Sequence, residues 1–275
     1  MRVHGCIDSA GHLGLDGHAC WSFEQEAGFT DAVLEFLAEG HRLGQRIAFM
    51  ADEPVADQRE RLAALGDVGK LADRGELLFF NLRDLYPKGR AVDFDSQVAL
   101  FAAATDASVA DGYAGLRVAA NVTDLATDPE TREAHLRWES FADRALSVKP
   151  LTVLCGYRRD ALSPQLLQDL AAIHPAANIG LDSVPFHLFG QDGDLVLAGE
   201  VDEFSSEALD RALGFACNSG EAPSLNLEAL DFIDHRGLEV LARHAPGSAA
   251  GGECCAIRNE RPVVNRLCDL LELQL

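Results

Sequence analysis

The chain has 275 residues, of which 48% are hydrophobic and 24% charged. This composition is typical of a folded soluble protein and excludes a disordered chain. No stretch reaches the roughly eighteen apolar residues of a membrane span, and the first eight residues hold no apolar signal segment, so we predict a cytoplasmic protein. The seven cysteines are odd in number and lack CxxC spacing, which predicts reduced thiols.

The net charge of the chain limits the classes of macromolecule that it can bind. The chain carries 23 basic and 44 acidic side chains, a net charge of −21. Such a chain repels nucleic acid phosphates and anionic lipid, so we predict neither nucleic acid nor membrane binding, and expect a basic protein surface as partner. The last 95 residues contribute 17 acidic and 6 basic side chains and contain no lysine. The negative charge is therefore densest near the C-terminus.

Helix and strand patterns alternate along the first two thirds of the chain. Apolar spacing predicts helices at residues 29–40, 58–71, 95–111, 130–146 and 163–173, and strands at 46–50, 77–80, 116–120 and 151–155. Ser163 is expected to cap the last of these helices, with Pro164 at its first position. Repeated alternation predicts an α/β fold with a mostly parallel sheet flanked by helices.

A second, smaller α/β domain is predicted after a boundary near residues 174–183. Two strands, 184–189 and 195–199, are joined by a Gly-rich turn. Ser205 or Ser206 can cap a helix that reaches Cys217, and Asp234 can cap another over residues 237–244. Strands at 224–227 and 253–257 and a helix from Pro262 complete the pattern. We therefore divide the chain into residues 1–180 and 181–275.

The second part resembles a known signalling module. Gly199-Glu-Val-Asp202, the segment Leu-Asp-Phe-Ile-Asp-His-Arg-Gly-Leu at residues 230–238, Asn259 and the final helix are similar in order and spacing to the STAS domain of anti-anti-sigma factors. The resemblance implies binding to an anti-sigma factor or a related kinase-like regulator. The residues expected at that contact are Asp202, Glu203, Asp234, His235 and Arg236.

Position 236 departs from this family. The residue before the Gly-Leu pair is usually a serine or threonine that a partner kinase phosphorylates, and here it is Arg236. A guanidinium group does not accept phosphate and has the opposite charge of phosphoserine. We therefore expect partner binding without phosphorylation at this position.

The first part resembles the MEDS sensory domain over roughly residues 10–176. The resemblance rests on Gly17-His-Ala-Cys-Trp21, residues 36–46, Arg137-Trp-Glu-Ser140, residues 154–160 and His174-Pro175. It implies a RecA-like architecture without a phosphate loop, and the sequence indeed has no GxxxxGK[ST] motif. It also implies recognition of a small molecule, such as a simple hydrocarbon derivative.

The ligand site is expected beyond the carboxyl ends of the strands, where polar residues follow the strand at 151–154. The candidate ligand-binding residues are His18, Cys20, Trp21, Glu139, Cys155, Tyr157, Arg158 and His174. Sulfur, imidazole and carboxylate ligands suit a transition metal or a cobalt-containing cofactor. Cys20 and Cys155 are also explained as small buried side chains, and His174 as the end of a helix. We therefore predict no metal and leave the cofactor unknown.

Two alternative functions remain open. The chain could be a scaffold subunit of a stressosome-like assembly, and homodimer formation is equally open. It could also be an enzyme that uses Cys155 and His174, but the sequence offers no third residue to orient that pair. We therefore predict that the chain has no catalytic residues.

Overall fold

The computed structural model describes residues 2–87, 92–180, 183–217, 223–246, 256–259 and 262–274. The strands are β1 (Gly5–Cys6), β2 (His18–Phe23), β3 (Arg46–Ala51), β4 (Leu77–Asn81), β5 (Leu116–Asn121), β6 (Leu151–Arg158), β7 (Ala176–Ala177), β8 (Phe186–Gln191), β9 (Asp194–Val201), β10 (Ser224–Asn226), β11 (Leu230–Ile233) and β12 (Ala256–Arg258). The helices are α1 (Glu26–Arg42), α2 (Val55–Arg61), α3 (Val68–Asp73), α4 (Leu82–Leu85), α5 (Phe94–Ala110), α6 (Thr123–Thr127), α7 (Arg132–Leu146), α8 (Pro164–Ala172), α9 (Ser206–Cys217), α10 (His235–His244) and α11 (Pro262–Leu271).

Seven strands form a wholly parallel sheet in the order β1-β7-β2-β6-β5-β3-β4. Helices flank it on both faces, which confirms the predicted α/β class. The two-residue strands β1 and β7 were not predicted, because they are too short for a periodic pattern. Strands β2 and β6 lie side by side near the middle of the sheet, and this pairing later brings the site residues together.

Several predicted elements have different ends in the structure. Helix α1 begins at Glu26, three residues before the predicted start. The helix predicted at 58–71 is divided into α2, a short 3-10 turn and α3, because Gly66 adopts a φ of 111° that a helix cannot accommodate. Strand β6 continues to Arg158 instead of ending at Cys155. Helix α8 begins as predicted, with the Ser163 hydroxyl accepting a hydrogen bond from Leu166 N.

A second, smaller and mixed sheet follows, with β9 at its centre. The antiparallel pair β8–β9 turns at Asp192 and Gly193, both with positive φ, as a tight hairpin requires. On the other side of β9 lie the parallel strands β10 and β11, and β12 is parallel to β10. Of the strand predicted at 253–257, residues 253–255 lie outside the described residues. Asp234 caps α10 as predicted, accepting from the amides of Arg236 and Gly237.

The apolar interior is continuous between the two sheets. One cluster of buried side chains includes Trp138 of α7, Leu170 of α8, Leu188 of β8 and Leu209 of α9. A separate cluster, with Phe29 and Phe36 of α1, covers the opposite face of the first sheet. Helices α7 and α8 therefore lie between the two sheets and contact both.

The cysteines and helices bear on two further predictions. Cys6, Cys20 and Cys155 are free thiols, as expected. Cys217 is disulfide-bonded, so the prediction of fully reduced cysteines is wrong at that position. Within the described parts of the chain, the helices lack the length and apolar character needed to cross a lipid bilayer.

Packing of α1 on the sheet gives a testable consequence. A Cβ atom at Gly156 of β6 would collide with the Phe29 ring, whereas one at Gly28 of α1 would meet open space. We expect Gly156→Ala to lower the free energy of unfolding by about 1 to 3 kcal/mol through overpacking. Gly28→Ala should be neutral or stabilise by up to about 1 kcal/mol. Urea unfolding of both variants measures this, and equal effects would contradict the described packing.

Candidate functional site

Four residues that are distant in sequence meet between the first sheet and its covering helices. They are His18 at the start of β2, Glu139 in α7, Cys155 in β6 and His174 just after α8, and we call them the buried cluster. One ligand atom from each lies within 4.8 Å of those from the other three, and all four residues are buried. The structure therefore brings together four of the eight predicted ligand-binding residues at one point.

Strand alternation explains which other predicted residues join this point. Strands β2 and β6 are paired in register, with Cys20 opposite Cys155. Successive side chains of a strand face opposite sides of the sheet, so Cys20 shares the face of His18. Trp21 faces the other side, where it packs against the cluster that contains Phe29. Cys20 thus borders the buried cluster, and Trp21 lies away from it.

Tyr157 joins this point and Arg158 does not. Tyr157 lies two residues beyond Cys155 in β6, on the same face. Arg158 is exposed at the end of the strand and forms an ion pair with Asp160 at 3.0 Å. The site was predicted beyond the carboxyl ends of the strands. Because β6 continues past Cys155 to Arg158, the buried cluster instead lies on one face of the sheet, under the covering helices.

Helix α7 contributes a line of three titratable side chains. His135, Glu139 and Asp143 are four residues apart, a spacing that places them on one face of a helix. The sequence predictions missed His135 and Asp143. Their spacing was visible in the sequence as His-x-x-x-Glu-x-x-x-Asp, a signal that could have identified them as members of the site.

Glu139 lies at the centre of the polar contacts. Its Oε2 atom is 3.3 Å from His18 Nε2 and 3.5 Å from His174 Nε2. Its Oε1 atom accepts a hydrogen bond from the Tyr157 hydroxyl at 3.3 Å and lies 3.4 Å from His135 Nε2. The Cys155 sulfur is 3.7 Å from Oε2. A single carboxylate is thus surrounded by three imidazoles, a phenol and a thiol.

Asp143 connects this centre to the N-terminus and to the second sheet. Its Oδ1 atom lies 2.8 Å from Arg2 Nη2 and 3.0 Å from His18 Nδ1. Its Oδ2 atom accepts a hydrogen bond from Gly190 N of β8 at 2.5 Å. Arg2 also donates to the Gly190 carbonyl at 2.5 Å. Arg2, which no motif singled out, therefore completes a buried ion pair between the two sheets.

The charge states follow from burial and from these neighbours. Burial would raise the pKa of Glu139, but the surrounding histidines outweigh it and lower that pKa to about 2. Burial would lower the pKa of His18, but its bonds to Asp143 and Glu139 raise that pKa to about 9. Burial lowers the pKa of His174 to about 3. At neutral pH Glu139 is therefore ionised, His18 charged and His174 neutral.

Cys155 has a different electrostatic environment. Burial, reinforced by the charge of Glu139, raises the pKa of its thiol well above the usual value. A nucleophilic cysteine needs the opposite shift, because the thiolate is the reactive form. The raised pKa of Cys155 therefore gives no support to the Cys155 and His174 pair as an enzyme nucleophile and base.

A small cavity of about 60 Å³ adjoins the buried cluster. Its polar end includes His18, Glu139 and Cys155. The rest of its wall is mainly apolar and aromatic, and includes Met50, Tyr86, Phe101, Val118, Ala120, Val122, Leu125, Trp138, Ala142, Leu146, Leu151 and Val153. Such a cavity suits a small apolar molecule with one polar group.

The five residues predicted for partner contact lie at one edge of the second sheet. Asp202 follows β9 and Asp234 follows the parallel neighbour β11, with a hydrogen bond from Asp234 N to Val201 O at 3.0 Å. Glu203, His235 and Arg236 are exposed nearby, and Arg236 pairs with Glu239 at 3.0 Å. Gly237 packs against side chains of Val201 and Ile233.

Two exposed aromatic side chains at this edge were missed by the sequence predictions. Phe204 is 85% exposed and Phe232 is 51% exposed. Phe204 follows the predicted contact residues Asp202 and Glu203, and Phe232 immediately precedes Ile233 and Asp234. We call this edge, formed by residues 202–204 and 232–236, the acidic edge.

Comparisons with known proteins identify the family of the part of the chain that contains the buried cluster. The chain belongs to the MEDS family, described as the MEthanogen/methylotroph, DcmR Sensory domain, whose model matches residues 17–175. All four residues of the buried cluster lie inside this match. The match includes none of residues 181–275, so the STAS resemblance stays a prediction. The family indicates a role in sensing and signalling.

One solved structure similar to this chain is the flagellar accessory protein FlaH from Methanocaldococcus jannaschii. The two are 11% identical, with a TM-score of 0.41, and the similarity covers 71% of this chain and 84% of FlaH. No curated protein matches the chain.

The buried pair of Arg2 and Asp143 gives a prediction about stability. Asp143→Asn removes the negative charge that offsets Arg2 and His18 inside the protein, so we expect the free energy of unfolding to fall by about 3 to 5 kcal/mol. The matched control is Glu133→Gln in the same helix, whose exposed pair with Arg137 should contribute almost nothing. Chemical denaturation measures both variants, and a small loss for Asp143→Asn would disprove a structural role for the pair.

Proposed function

We propose that the chain is a sensor in which residues 1–180 bind a small molecule and residues 181–275 pass the signal to a protein partner. The observation that carries the proposal is the apolar cavity that adjoins the buried cluster inside the part matched by the MEDS family. Concave, mainly apolar sites with a few convergent polar groups are the usual form of small-molecule sites.

The size of the cavity limits the ligand class. One water molecule needs about 10 to 15 Å³ of cavity volume, so about 60 Å³ accommodates roughly four to six groups of that size. The apolar wall favours a hydrocarbon body, and the imidazole, carboxylate and thiol at one end favour a single polar or polarisable group. We therefore propose one- or two-carbon alcohols, thiols or halides as the ligand class.

Strand β8 supplies the proposed route from the cavity to the second sheet. Gly190 donates its amide hydrogen to Asp143, which in turn holds His18. His187, also in β8, lies with Nδ1 2.9 Å from the carbonyl oxygen of His174. A ligand that moves His18 or His174 would therefore act on β8 at two points. Coupling further requires that the ligand bind two arrangements of these contacts with different affinity.

Trp138 in the cavity wall provides a direct test of ligand binding. The chain has two tryptophans, so Trp21→Phe leaves Trp138 as the single indole reporter. In this background we expect titration with methanol, methanethiol or chloromethane to change the Trp138 fluorescence with saturation. Adding Ala142→Leu fills the cavity and should abolish that change.

The control for this titration is Ala107→Leu, which adds the same side chain to an exposed position of α5. It should bind the probes as the Trp21→Phe protein does. A response that persists unchanged in Ala142→Leu, or no saturable response to any of the three probes, would contradict the proposed ligand class.

We propose, as the second half of the function, that residues 181–275 form a STAS-type module that docks a basic anti-sigma factor or kinase-like protein at the acidic edge. Two observations favour this surface. Exposed Phe204 and Phe232 offer the apolar contacts that anchor protein interfaces. The carboxylates of Asp202, Glu203 and Asp234 beside them offer charge complementarity to a basic partner.

The docking surface can be tested with a purified anti-sigma factor kinase from the same host. We expect Phe204→Ser and Phe232→Ser to weaken binding at least tenfold, because truncation removes an aromatic anchor. Leu270→Ser, an exposed apolar position on α11, is the control and should leave the affinity unchanged. Isothermal titration calorimetry measures all three variants, and equal losses in the three would argue against this edge.

The same kinase tests the departure at position 236. With ATP, residues 234–238 of the native chain should remain unmodified, and Arg236→Ser should become a substrate. Phosphate on the native segment, read by mass spectrometry, would contradict binding without covalent control.

A further inference from the structure

The side chain of His174 points an unprotonated nitrogen into the buried cluster. Its Nδ1 atom donates a hydrogen bond to the Leu170 carbonyl at 2.7 Å, which fixes the proton on that nitrogen. Its Nε2 atom is buried and has no hydrogen-bond partner among the residues that the structure describes. Leaving such a lone pair unused costs free energy, so a buried orphan of this kind indicates a missing ligand.

His18 is oriented in the same way. Its Nδ1 atom faces the Asp143 carboxylate at 3.0 Å, and its Nε2 atom faces Glu139 and Cys155. An imidazole held by a carboxylate on one nitrogen, with the other nitrogen free to coordinate, is the usual arrangement of histidine ligands in metal sites. Both histidines thus direct Nε2 toward the same point as the Glu139 carboxylate and the Cys155 sulfur.

The distances among these atoms fit one coordination sphere. A tetrahedral zinc-type ion with ordinary bonds to nitrogen, oxygen and sulfur holds its ligand atoms about 3.3 to 3.7 Å apart. In the structure His18 Nε2 lies 3.3 Å from Glu139 Oε2 and 3.4 Å from Cys155 Sγ. Glu139 Oε2 lies 3.5 Å from His174 Nε2 and 3.7 Å from Cys155 Sγ. These four separations match four of the six edges of such a tetrahedron, and all four ligand atoms lie within 4.8 Å of one another.

We propose that His18, Glu139, Cys155 and His174 bind one divalent transition-metal ion of the zinc class. Two imidazole nitrogens, one thiolate and one carboxylate are borderline to soft ligands, which favour zinc or cobalt over magnesium or calcium. The site lies inside the MEDS match, and the family description assigns no metal to these residues.

The buried charges balance when the metal is bound. Glu139, Asp143 and the Cys155 thiolate carry three negative charges, and Arg2 together with a divalent cation carries three positive ones. Binding replaces the proton of the Cys155 thiol and the proton on His18 Nε2, and both leave to solvent. Without metal, protonated His18 fills the same electrostatic role, so the experiment must separate a metal from a proton.

Tyr157 and His135 support the metal ligands from outside. The Tyr157 hydroxyl donates to Oε1 of Glu139, which leaves Oε2 to face the two histidines. His135 Nε2 lies 3.0 Å from the Tyr157 hydroxyl and holds it in place. Outer contacts of this kind orient metal-binding carboxylates and are part of a metal site.

The test uses the full chain, stripped with a chelator and reloaded with Co²⁺ or Zn²⁺. We expect about one metal ion per chain by plasma mass spectrometry. The cobalt form should show the visible bands of a four-coordinate ion and a near-ultraviolet sulfur-to-cobalt band. Cys155→Ser should lose the sulfur band. Cys20→Ser is the matched control, because Cys20 is the buried partner of Cys155 in the strand register yet outside the four ligands.

X-ray absorption of the zinc-loaded native chain keeps the proposal testable if Cys155→Ser does not fold. It should show one sulfur among nitrogen and oxygen neighbours at ordinary zinc distances. A folded native chain that takes up no stoichiometric zinc or cobalt, or a sulfur band that survives in folded Cys155→Ser, would overturn the proposal. Because metal content is read without any cavity ligand, this result is independent of the methanol, methanethiol and chloromethane titrations.

Discussion

The contacts of the buried Asp143 carboxylate are the interactions on which the rest of this structure depends. This carboxylate sits on a helix between two sheets, and it contacts Arg2 from the N-terminus, His18 from the first sheet and Gly190 from the second. A buried charge of this kind needs an opposite charge in good geometry and hydrogen bonds to its remaining lone pairs. The apolar cluster around it is continuous from Trp138 to Leu209, so the electrostatic and hydrophobic contacts between the sheets reinforce each other.

Much of the fold could be predicted from the sequence because its elements have strong apolar periods. The buried strands at residues 46–50 and 116–120 and the cap at Ser163 are found where expected. The ends of elements were harder to predict. Gly66 divides one predicted helix through its positive φ. Strand β6 extends beyond Cys155 to Arg158, because the strand alternation continues into the polar residues. Tertiary pairing rather than local pattern decides such ends.

The sequence predicted which residues belong to the candidate site better than it predicted where in the fold they meet. His18, Glu139, Cys155 and His174 had been selected by type, but only the pairing of β2 with β6 and the covering by α7 show that they meet. Asp143 and His135 were missed although their four-residue spacing from Glu139 was visible. Arg2 matched no motif, because its partners Asp143 and Gly190 lie 141 and 188 residues further along the chain.

The fit of β8 against α7 has a consequence for sequence change in this hairpin. A side chain at Gly190 would collide with the backbone of Arg144, so only glycine fits there. Inserting or deleting one residue between His187 and Gly190 would put Phe189 or Gln191 at that place, and the strand would lift from the helix. The number of residues between His187 and Gly190, and not only their identity, therefore keeps the second sheet packed against α7.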